Sequence, residues 1–324
     1  MAIIHFINDA KASSGGAQAI MHSIHGSCNQ SSIYGFDCNY LGGKETRSNI
    51  LYCFIFFFCK FFFSRSDKIV LHHRIFLPFC LLFPRQNVYF VCHNIFPRKN
   101  IIFKFKYNIT FIAVSEKVSE YLSDFNHKNK VILIQNGIKV DSKNIRKFDK
   151  PPSRKMQIFY IGRLAEQKGI DLLLNVFKKI NRTYPEVHLN IIGEPSAEYP
   201  STGININYLG YKNTPFKFCQ DADLVVVPSR YEGFGLVYYE AMEHKHHILS
   251  SDLDVFKRFN NDDCTRFFKK NCEKSLEIEM IKLIKEYYTN PESYLLSARK
   301  LTTRHKYLSE QDMNYQYKKL LGVL

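Results

Sequence analysis

Short runs of β-branched and aromatic residues alternate with helix-like segments along the whole chain, and this alternation most constrains how it can fold. In the first half the strand candidates are Ile3–Ile7, Ile69–His73, Asn87–His93, Thr110–Val114 and Val131–Ile134. The helix candidates are Ala17–His25, Leu51–Phe63 and Lys117–Phe125. Strands separated by helices predict a parallel sheet covered by helices on its faces.

The pattern is interrupted once and then resumes. Asp141–Arg154 is polar and basic and contains two adjacent prolines, so we interpret it as an interdomain linker. After it, the strand candidates are Gln157–Ile161, Val187–Ile192, Ile206–Leu209, Leu224–Pro228 and Ile248–Ser251. Asp171–Asn181 and Leu236–Glu243 have the apolar spacing of helices, and the tail from Ser275 to Leu320 is also helical in pattern.

Two consecutive α/β domains are therefore expected, with both sheets presenting their carboxyl edges to a central cleft, where open α/β folds bind ligands. The expected limits are 1–147 for the first domain, 148–155 for the linker and 156–305 for the second domain. Residues 306–324 are expected to form a C-terminal helix that crosses back to the first domain.

The net charge of +15 is concentrated in the first half of the chain. Residues 1–150 contain 20 Lys and Arg against 9 Asp and Glu. A basic half of this kind suits a nucleic acid, an anionic membrane surface or an anionic substrate. No zinc finger or aromatic RNA-binding motif accompanies the charge, so a nucleic-acid-binding protein is only a remote alternative.

Neither cysteine spacing nor hydropathy indicates an exported or membrane-spanning protein. The nine cysteines form no C-x-x-C pair, which favours a reducing, cytoplasmic location. The very apolar run Ile50–Phe63 has 14 residues, whereas a bilayer-spanning helix needs roughly 20. We therefore expect this run to form a buried helix or to lie at a membrane surface.

The most informative segment combines a strand end, a glycine-containing loop and a helix start. It reads Pro228-Ser-Arg-Tyr-Glu-Gly-Phe-Gly-Leu236 and is followed by Glu240-Ala-Met242. Backbone N–H groups at such a helix start can bind a phosphate or a sugar hydroxyl, and glycines allow a ligand to approach the backbone. Glu232 and Glu240 can accept hydrogen bonds from hydroxyls on different parts of one extended ligand. An ordinary strand–helix turn with surface glutamates is the alternative.

This segment resembles the E-x7-E signature of the family-4 retaining glycosyltransferases, which have the GT-B fold of two Rossmann-like domains. A second block, Tyr160-Ile-Gly-Arg-Leu-Ala-Glu-Gln-Lys-Gly-Ile-Asp171, is similar to the strand, "GRL…KG" and helix motif of that family. The resemblance implies that Glu240 holds the nucleotide ribose. It also implies that Glu232, Gly233, Phe234, Gly235 and Leu236 hold the transferred sugar and a phosphate.

Arg163 and Lys168 lie in the loop between a strand and a helix, where two cations can neutralise the diphosphate of a nucleotide sugar. They would then replace a metal ion in stabilising the departing nucleoside diphosphate. No metal or other cofactor is expected. Solvated surface charge is the alternative for both residues.

Weaker blocks extend the resemblance into the first half of the chain. Gly15-Gly16 resembles the glycine loop that approaches the donor phosphates and the acceptor, and His93 resembles the strand-end histidine beside the transferred sugar. Ser115 and Asn136 stand in blocks that close the first domain and are acceptor-site candidates. Gly193 follows a strand whose loop borders the nucleotide base. The candidate catalytic residues are thus Glu232, His93, Arg163 and Lys168.

Two other polar clusters are expected to be structural. Asp221-Ala-Asp223 has the letters of a metal-binding D-x-D motif, but it directly precedes a strand. The basic residues of Glu243–His247 suit the end of a helix. The chain departs from the family pattern by having no glycine between Gly235 and Gly322, which leaves the loop after Ser251 without its usual turn.

The resemblance implies sugar transfer from a nucleoside diphosphate sugar, with retained anomeric configuration, in surface-polysaccharide biosynthesis. The basic first half and the apolar run at residues 50–63 favour a lipid-linked saccharide acceptor at an anionic membrane surface, reached from the cytoplasm. A GT-B enzyme that epimerises or hydrolyses a sugar nucleotide is the alternative, because it would bind the same donor.

Overall fold

The computed structural model describes residues 1–11, 15–42, 44–63, 66–82, 87–96, 101–107, 109–125, 129–146, 148, 155–194, 199, 203–258, 264–299 and 309–324. The chain divides into two compact units. Unit 1 comprises Met1–Gly137 and Tyr307–Leu324, and unit 2 comprises Ile138–Lys306.

Unit 1 is built on a sheet of eight strands within the described residues, in the order β4-β3-β2-β1-β5-β6-β7-β8. The strands from β2 through β1 and on to β8 pair in parallel, whereas β3 and β4 add an antiparallel edge. Their bounds are β1 Ile3–Phe6, β2 Ser31–Tyr34, β3 Cys38–Leu41, β4 Lys44–Arg47, β5 Lys68–Leu71, β6 Val88–Cys92, β7 Thr110–Ala113 and β8 Lys130–Leu133.

The helices of unit 1 are α1 Gly16–Gly26, α2 Ile50–Phe63, α3 Glu116–Phe125 and the C-terminal helix α9 Glu310–Leu321. Helix α9 buries three side chains completely, those of Met313, Tyr317 and Leu321. A capping box at Ser309 and Asp312 begins the helix and Gly322 in the left-handed conformation ends it.

Unit 2 has a parallel sheet of six described strands in the order β11-β10-β9-β12-β13-β14. The bounds are β9 Gln157–Ile161, β10 His188–Ile192, β11 Ile206–Gly210, β12 Leu224–Val227, β13 His247–Ser251 and β14 Thr265–Phe268. Numbered within the unit, this is the order 3-2-1-4-5-6 of a Rossmann fold, in which the strand order reverses between β9 and β12. Ligands bind such sheets at the carboxyl side of that switch point.

The helices of unit 2 are α4 Ile170–Thr183, α5 Leu236–Glu243, α6 Asp254–Lys257, α7 Glu273–Thr289 and α8 Pro291–Arg299. Helix α4 buries Leu173, Val176 and Phe177 against the core, at the spacing of one helical face. The predicted helix at 236–243 has the observed bounds, and the tail predicted as helical contains α7, α8 and α9.

The predicted linker at 141–154 is wrong at its start. Asn144 and Arg146 are buried in unit 2, where Arg146 forms an ion pair of 2.8 Å with Asp223. The division therefore falls at residue 137 instead of 147, because this buried pair ties residues 141–146 to the second sheet. Of the expected linker 148–155, residues 149–154 lie outside the described part of the chain.

Candidate functional site

The loops that follow β9, β10 and β12 lie side by side at the carboxyl edge of the unit 2 sheet. Two backbone hydrogen bonds join them: Gly162 N donates to Ile192 O at 2.9 Å, and Arg230 N donates to Gln167 O at 2.9 Å. Since β9 and β12 flank the switch point, the two motif-bearing loops, 162–169 and 228–235, meet where the fold predicts a ligand.

The loop after β9 places its two cations differently. Arg163 is exposed, and its carbonyl oxygen accepts a hydrogen bond of 2.7 Å from the Tyr160 hydroxyl. Lys168 ends a 3-10 turn over Glu166–Lys168 and is half-buried. No ion pair of Arg163 is found among the described residues.

Lys168 contacts the second motif directly. Its Nζ lies 2.6 Å from Oε1 of Glu232, and the Ser229 hydroxyl donates a hydrogen bond of 2.8 Å to the same oxygen. Two predicted site residues, 64 positions apart in the sequence, are thus brought together. The Glu232 carboxylate is held in one orientation by a cation from one loop and a hydroxyl from the other.

Arg230 joins the two loops from the other side. Its guanidinium donates to both carboxylate oxygens of Asp171 at 2.7 and 2.6 Å, and also to the Glu166 carbonyl and the Asn271 side chain. Burial raises the pKa of the Asp171 carboxyl, but the Arg230 hydrogen bonds and charge outweigh it and hold that pKa below its ordinary value. Sequence reasoning did not select Arg230, although its place inside the glycine motif was a usable signal.

Three glycines of the site are required by internal packing. A Cβ at Gly169 would overlap the Pro228 carbonyl, one at Gly193 would overlap the Gly162 carbonyl, and one at Gly235 would overlap the Phe256 ring. Gly169 and Gly235 also have positive φ angles of 67° and 89°. These glycines allow the loops and helices to pack closely, a role distinct from the approach to a ligand inferred from the sequence.

Glu240 lies half-buried in the second turn of α5, and Leu236 begins that helix. Gly233 and Phe234 are buried before it, and the Phe234 ring packs on Tyr239. The helix begins directly after Gly235, which places its first backbone N–H groups at the end of the loop that carries Glu232.

The candidate residues of unit 1 lie after its parallel strands. His93 directly follows β6, and Gly15 and Gly16 stand at the start of α1. Ser115 caps α3 by accepting a hydrogen bond of 3.1 Å from Val118 N. Asn136 is buried, and its Oδ1 has no hydrogen-bond partner within the described part of the chain.

The two clusters expected to be structural have structural partners. Asp223 accepts from Arg146 and from Gln157 N at 2.8 Å, and burial raises the pKa of its carboxyl. Imidazoles of His244, His246 and His247 each contact a backbone carbonyl oxygen. In the described residues, no group of three or more His, Cys, Asp or Glu side chains is arranged to hold a metal.

Helix α2 is apolar on both its buried and its exposed side at its start. Cys53 and Phe57 are buried, whereas Ile50, Leu51, Tyr52 and Ile55 are exposed. Strand β4, which ends just before this helix, exposes Lys44 and Arg47. In the part of the chain that the structure describes, no helix is both long and apolar enough to cross a bilayer.

Several known proteins with related sequences are named as glycosyltransferases. Residues 141–300 match the family described as glycosyl transferases group 1. The chain is 30% identical over 139 residues to the phosphatidyl-myo-inositol mannosyltransferase of Mycobacterium tuberculosis, covering 40% of this chain and 37% of that protein. It is 23% identical over 217 residues to the capsular polysaccharide biosynthesis glycosyltransferase CapH of Staphylococcus aureus, covering 64% of this chain and 54% of that protein.

The aligned regions thus span from about two fifths to about half the length of these curated relatives. A similar fold extends over the whole chain. Anabaena HepE, crystallised in complex with UDP and glucose, superposes with a TM-score of 0.74 at 14% identity and covers 100% of both chains. This likeness confirms the predicted α/β fold of the GT-B type.

Proposed function

We propose that the protein transfers a sugar from a nucleoside diphosphate sugar to a saccharide. The proposal starts from the match of residues 141–300 to the group 1 glycosyl transferases. The observation that carries the proposal is the contact of Lys168 and Ser229 with one oxygen of Glu232, at the switch point of the unit 2 sheet. The two motifs that form this contact lie within the matched segment.

The donor is proposed to lie across the two loops of unit 2. Arg163 is the exposed cation for the diphosphate, and Gly193 lies at the end of the neighbouring strand, beside the base. The N–H groups that begin α5 and the carboxylates of Glu232 and Glu240 offer hydrogen bonds to phosphate and sugar hydroxyls. The HepE complex with UDP and glucose supports a donor of this class.

The proposed reaction retains the configuration at the anomeric carbon and needs no metal. The bond between that carbon and the departing phosphate oxygen breaks, and a bond to the acceptor hydroxyl oxygen forms on the same face. The acceptor proton passes to the departing phosphate. The protein contributes orientation and positive charge at the leaving group, so Glu232 need not act as a base.

A transfer assay tests this function. A labelled nucleotide sugar is incubated with lipid-linked and free saccharides, and both the product and its anomeric configuration are followed by NMR. We expect acceptor-dependent product with retained configuration. Donor consumption that is independent of every acceptor would instead support the epimerase or hydrolase alternative, and an inverted product would refute the proposed chemistry.

We further propose that unit 1 binds an anionic membrane surface through α2, where the acceptor would be a lipid-linked saccharide of a surface polysaccharide. Leu51 and Ile55 are exposed one helical turn apart, and Lys44 and Arg47 are exposed on the strand that precedes the helix. Apolar side chains beside cations are the combination that binds anionic bilayers.

Flotation with vesicles of phosphatidylglycerol and phosphatidylcholine at low salt tests this surface. Ile55→Glu should strongly reduce binding to the vesicles, because it places a charge among the inserting side chains. Ile278→Glu is the matched control, since Ile278 is a similarly exposed helical residue of unit 2. Equal flotation of both variants would contradict the assignment to α2.

A further inference from the structure

Three histidines of unit 1 form a continuous chain of hydrogen bonds. Nδ1 of His5 lies 2.9 Å from Nε2 of His72, and Nδ1 of His72 lies 2.9 Å from Nε2 of His93. The rings of His72 and His93 are stacked with their centroids 5.2 Å apart. His5 and His72 are buried, so solvent does not compete for these bonds.

The strand register explains why the three side chains meet. His5 pairs with Val70 across β1 and β5, and His72 follows Val70 by two residues, so both histidines project from the same face of the sheet. The same two-residue step leads from His72, which directly follows β5, to His93, which directly follows β6. The row therefore runs diagonally across three neighbouring strands, including the switch point between β1 and β5, and ends at the carboxyl edge.

The two terminal nitrogens of the row are His5 Nε2 and His93 Nδ1. Both are buried atoms that make no hydrogen bond within the described residues. Nε2 of His93 is occupied by His72, so Nδ1 is the ring nitrogen that His93 can offer to a ligand. Burial lowers the pKa of His5 and of His93 to about 3, and that of His72 well below its ordinary value. The three rings are therefore neutral near pH 7.

A row of neutral imidazoles allows only two proton arrangements. A neutral ring has one N–H and one bare nitrogen, and each of the two bonds needs one of each. If His5 donates, all three rings carry their proton on Nδ1. If His93 donates, all three carry it on Nε2. The state of His5 and His72 thereby fixes whether His93 Nδ1 is a donor or an acceptor.

We propose that His72 and His5 are positioning residues for His93, which set its ring orientation and its tautomer through one shared hydrogen-bond row. This rests on the proposed function, for which the sequence makes His93 a candidate catalytic residue. The positioning residues need not touch the substrate. They determine whether Nδ1 of a neutral His93 is a hydrogen-bond donor or an acceptor at the carboxyl edge of the unit 1 sheet.

Two substitutions at the centre of the row separate its two bonds. The shorter amide side chain introduced by His72→Asn can occupy the place of the imidazole Nδ1 and keep the bond to His93. The longer amide side chain introduced by His72→Gln reaches the place of Nε2 and keeps only the bond to His5. His188→Gln, in unit 2, is the control for replacing a histidine outside the row.

The tautomers are read from ¹⁵N shifts of the imidazole nitrogens of the full chain without any substrate. We expect His5, His72 and His93 to share one tautomer in the wild type. We also expect His72→Gln to change the His93 signals, and His72→Asn and His188→Gln to leave them nearly unchanged. Unequal tautomers, or His93 signals that ignore His72→Gln, would overturn the proposal.

Activity gives the second readout. His72→Gln should lower kcat/KM for the nucleotide sugar about tenfold, the usual effect of one lost hydrogen bond, while affinity for the free nucleoside diphosphate stays unchanged. His72→Asn should restore most of the rate. If the three histidines share one tautomer but the protein transfers no sugar, the hydrogen-bond row is supported and the proposed function is refuted. Equal rates for both variants would refute the positioning role.

Discussion

At the residue scale, Glu232 and Gly169 show two ways in which one position determines the site. Glu232 Oε1 accepts hydrogen bonds from the Lys168 ammonium and the Ser229 hydroxyl. The negative charge of the carboxylate therefore partly compensates the positive charge of the lysine. Gly169 has no side chain to contribute, and it is required because the Pro228 carbonyl passes directly against its Cα. The first residue acts through charge and the second through space.

Glu232→Gln should separate binding from turnover. The amide keeps the shape of the side chain but removes a negative charge from the neighbourhood of Lys168, so affinity for a free nucleoside diphosphate should stay equal or rise. Transfer should fall by about 100-fold, because an interaction with the reacting sugar is lost. Titration calorimetry and the transfer assay measure the two effects. A parallel loss of both would mean that Glu232 holds the nucleotide itself.

Gly169→Ala and Gly210→Ala form a matched pair for the cost of close approach. Their φ angles are 67° and 69°, but a Cβ at Gly210 meets nothing within 4 Å. Gly210→Ala should cost about 1 kcal/mol of the free energy of unfolding of unit 2, from the left-handed backbone alone. Gly169→Ala should cost several times as much, since the loop must move. Denaturant unfolding measures both, and equal costs would contradict the packing role.

At the element scale, most strands and helices were predictable, whereas the four strands β2, β3, β4 and β14 were not. The boundaries of α5 and the existence of β9, β10 and β12 follow from apolar periodicity. Strands β2, β3 and β4 were missed because β2 begins with two serines and β4 exposes all four of its residues, Lys44–Arg47. Strand β14 was missed for a similar reason. It lies at the edge of the sheet, and only one of its four residues, Phe268, is buried.

Contacts between distant residues were the other limit. The Arg146–Asp223 pair joins residues 77 positions apart, so a basic, polar stretch resembled a linker. The location of the two motifs could be predicted from the sequence, because both follow strands and carry glycines. The histidine row could not, because it depends on the relative register of β1, β5 and β6.

The histidine row should make unit 1 acid-sensitive. Unfolded histidines bind protons below about pH 6.5, whereas folded His5 and His93 remain neutral down to about pH 3. Stability is therefore fully present above pH 6.5 and is lost as the pH falls toward 3, at about 1.4 kcal/mol per pH unit for each such histidine. The pKa of the neighbouring His25 is also lowered by burial and adds in the same direction.

Hydrogen exchange of unit 1 peptides, corrected for intrinsic rates, measures this slope between pH 7.5 and pH 5.5. His72→Gln removes one buried histidine and should give a shallower slope than the wild type. His188→Gln should leave the slope of unit 1 unchanged. A slope of unit 1 that is equal in all three proteins would show that the histidines are not buried in neutral form.

At the scale of the whole molecule, the chain begins and ends in unit 1. Gly137 N donates to the Met313 sulfur, and Asn314 exchanges hydrogen bonds with Ser23 on α1. A side chain at Gly137 would overlap the backbone of Ser309 and Glu310. These contacts hold the C-terminal helix α9 in unit 1, where residues 306–324 were expected to return.

Met313→Ala should destabilise unit 1 and leave unit 2 unaffected. Met313 is completely buried, so truncation should cost about 2–5 kcal/mol through lost burial and a cavity. Tyr315→Ala is the control on the same helix, since Tyr315 is 56% exposed. Hydrogen exchange should show faster opening of α1 and β1 only in Met313→Ala. Faster exchange in α4 and β9 would instead assign α9 to unit 2.

The central claim is that the loop pair 162–169 and 228–235 binds a nucleoside diphosphate sugar, and a thermal-shift panel tests it most directly. Nucleoside diphosphates and their sugar conjugates are compared on the wild type, Arg163→Ala and Glu240→Ala. Arg182→Ala and Glu292→Ala serve as controls, because both residues are exposed elsewhere in unit 2. We predict that one nucleotide raises the Tm of the wild type and of both controls. The same nucleotide should not raise the Tm of the two site variants. A panel in which no nucleotide raises the Tm, or in which the site variants respond like the wild type, would contradict this account.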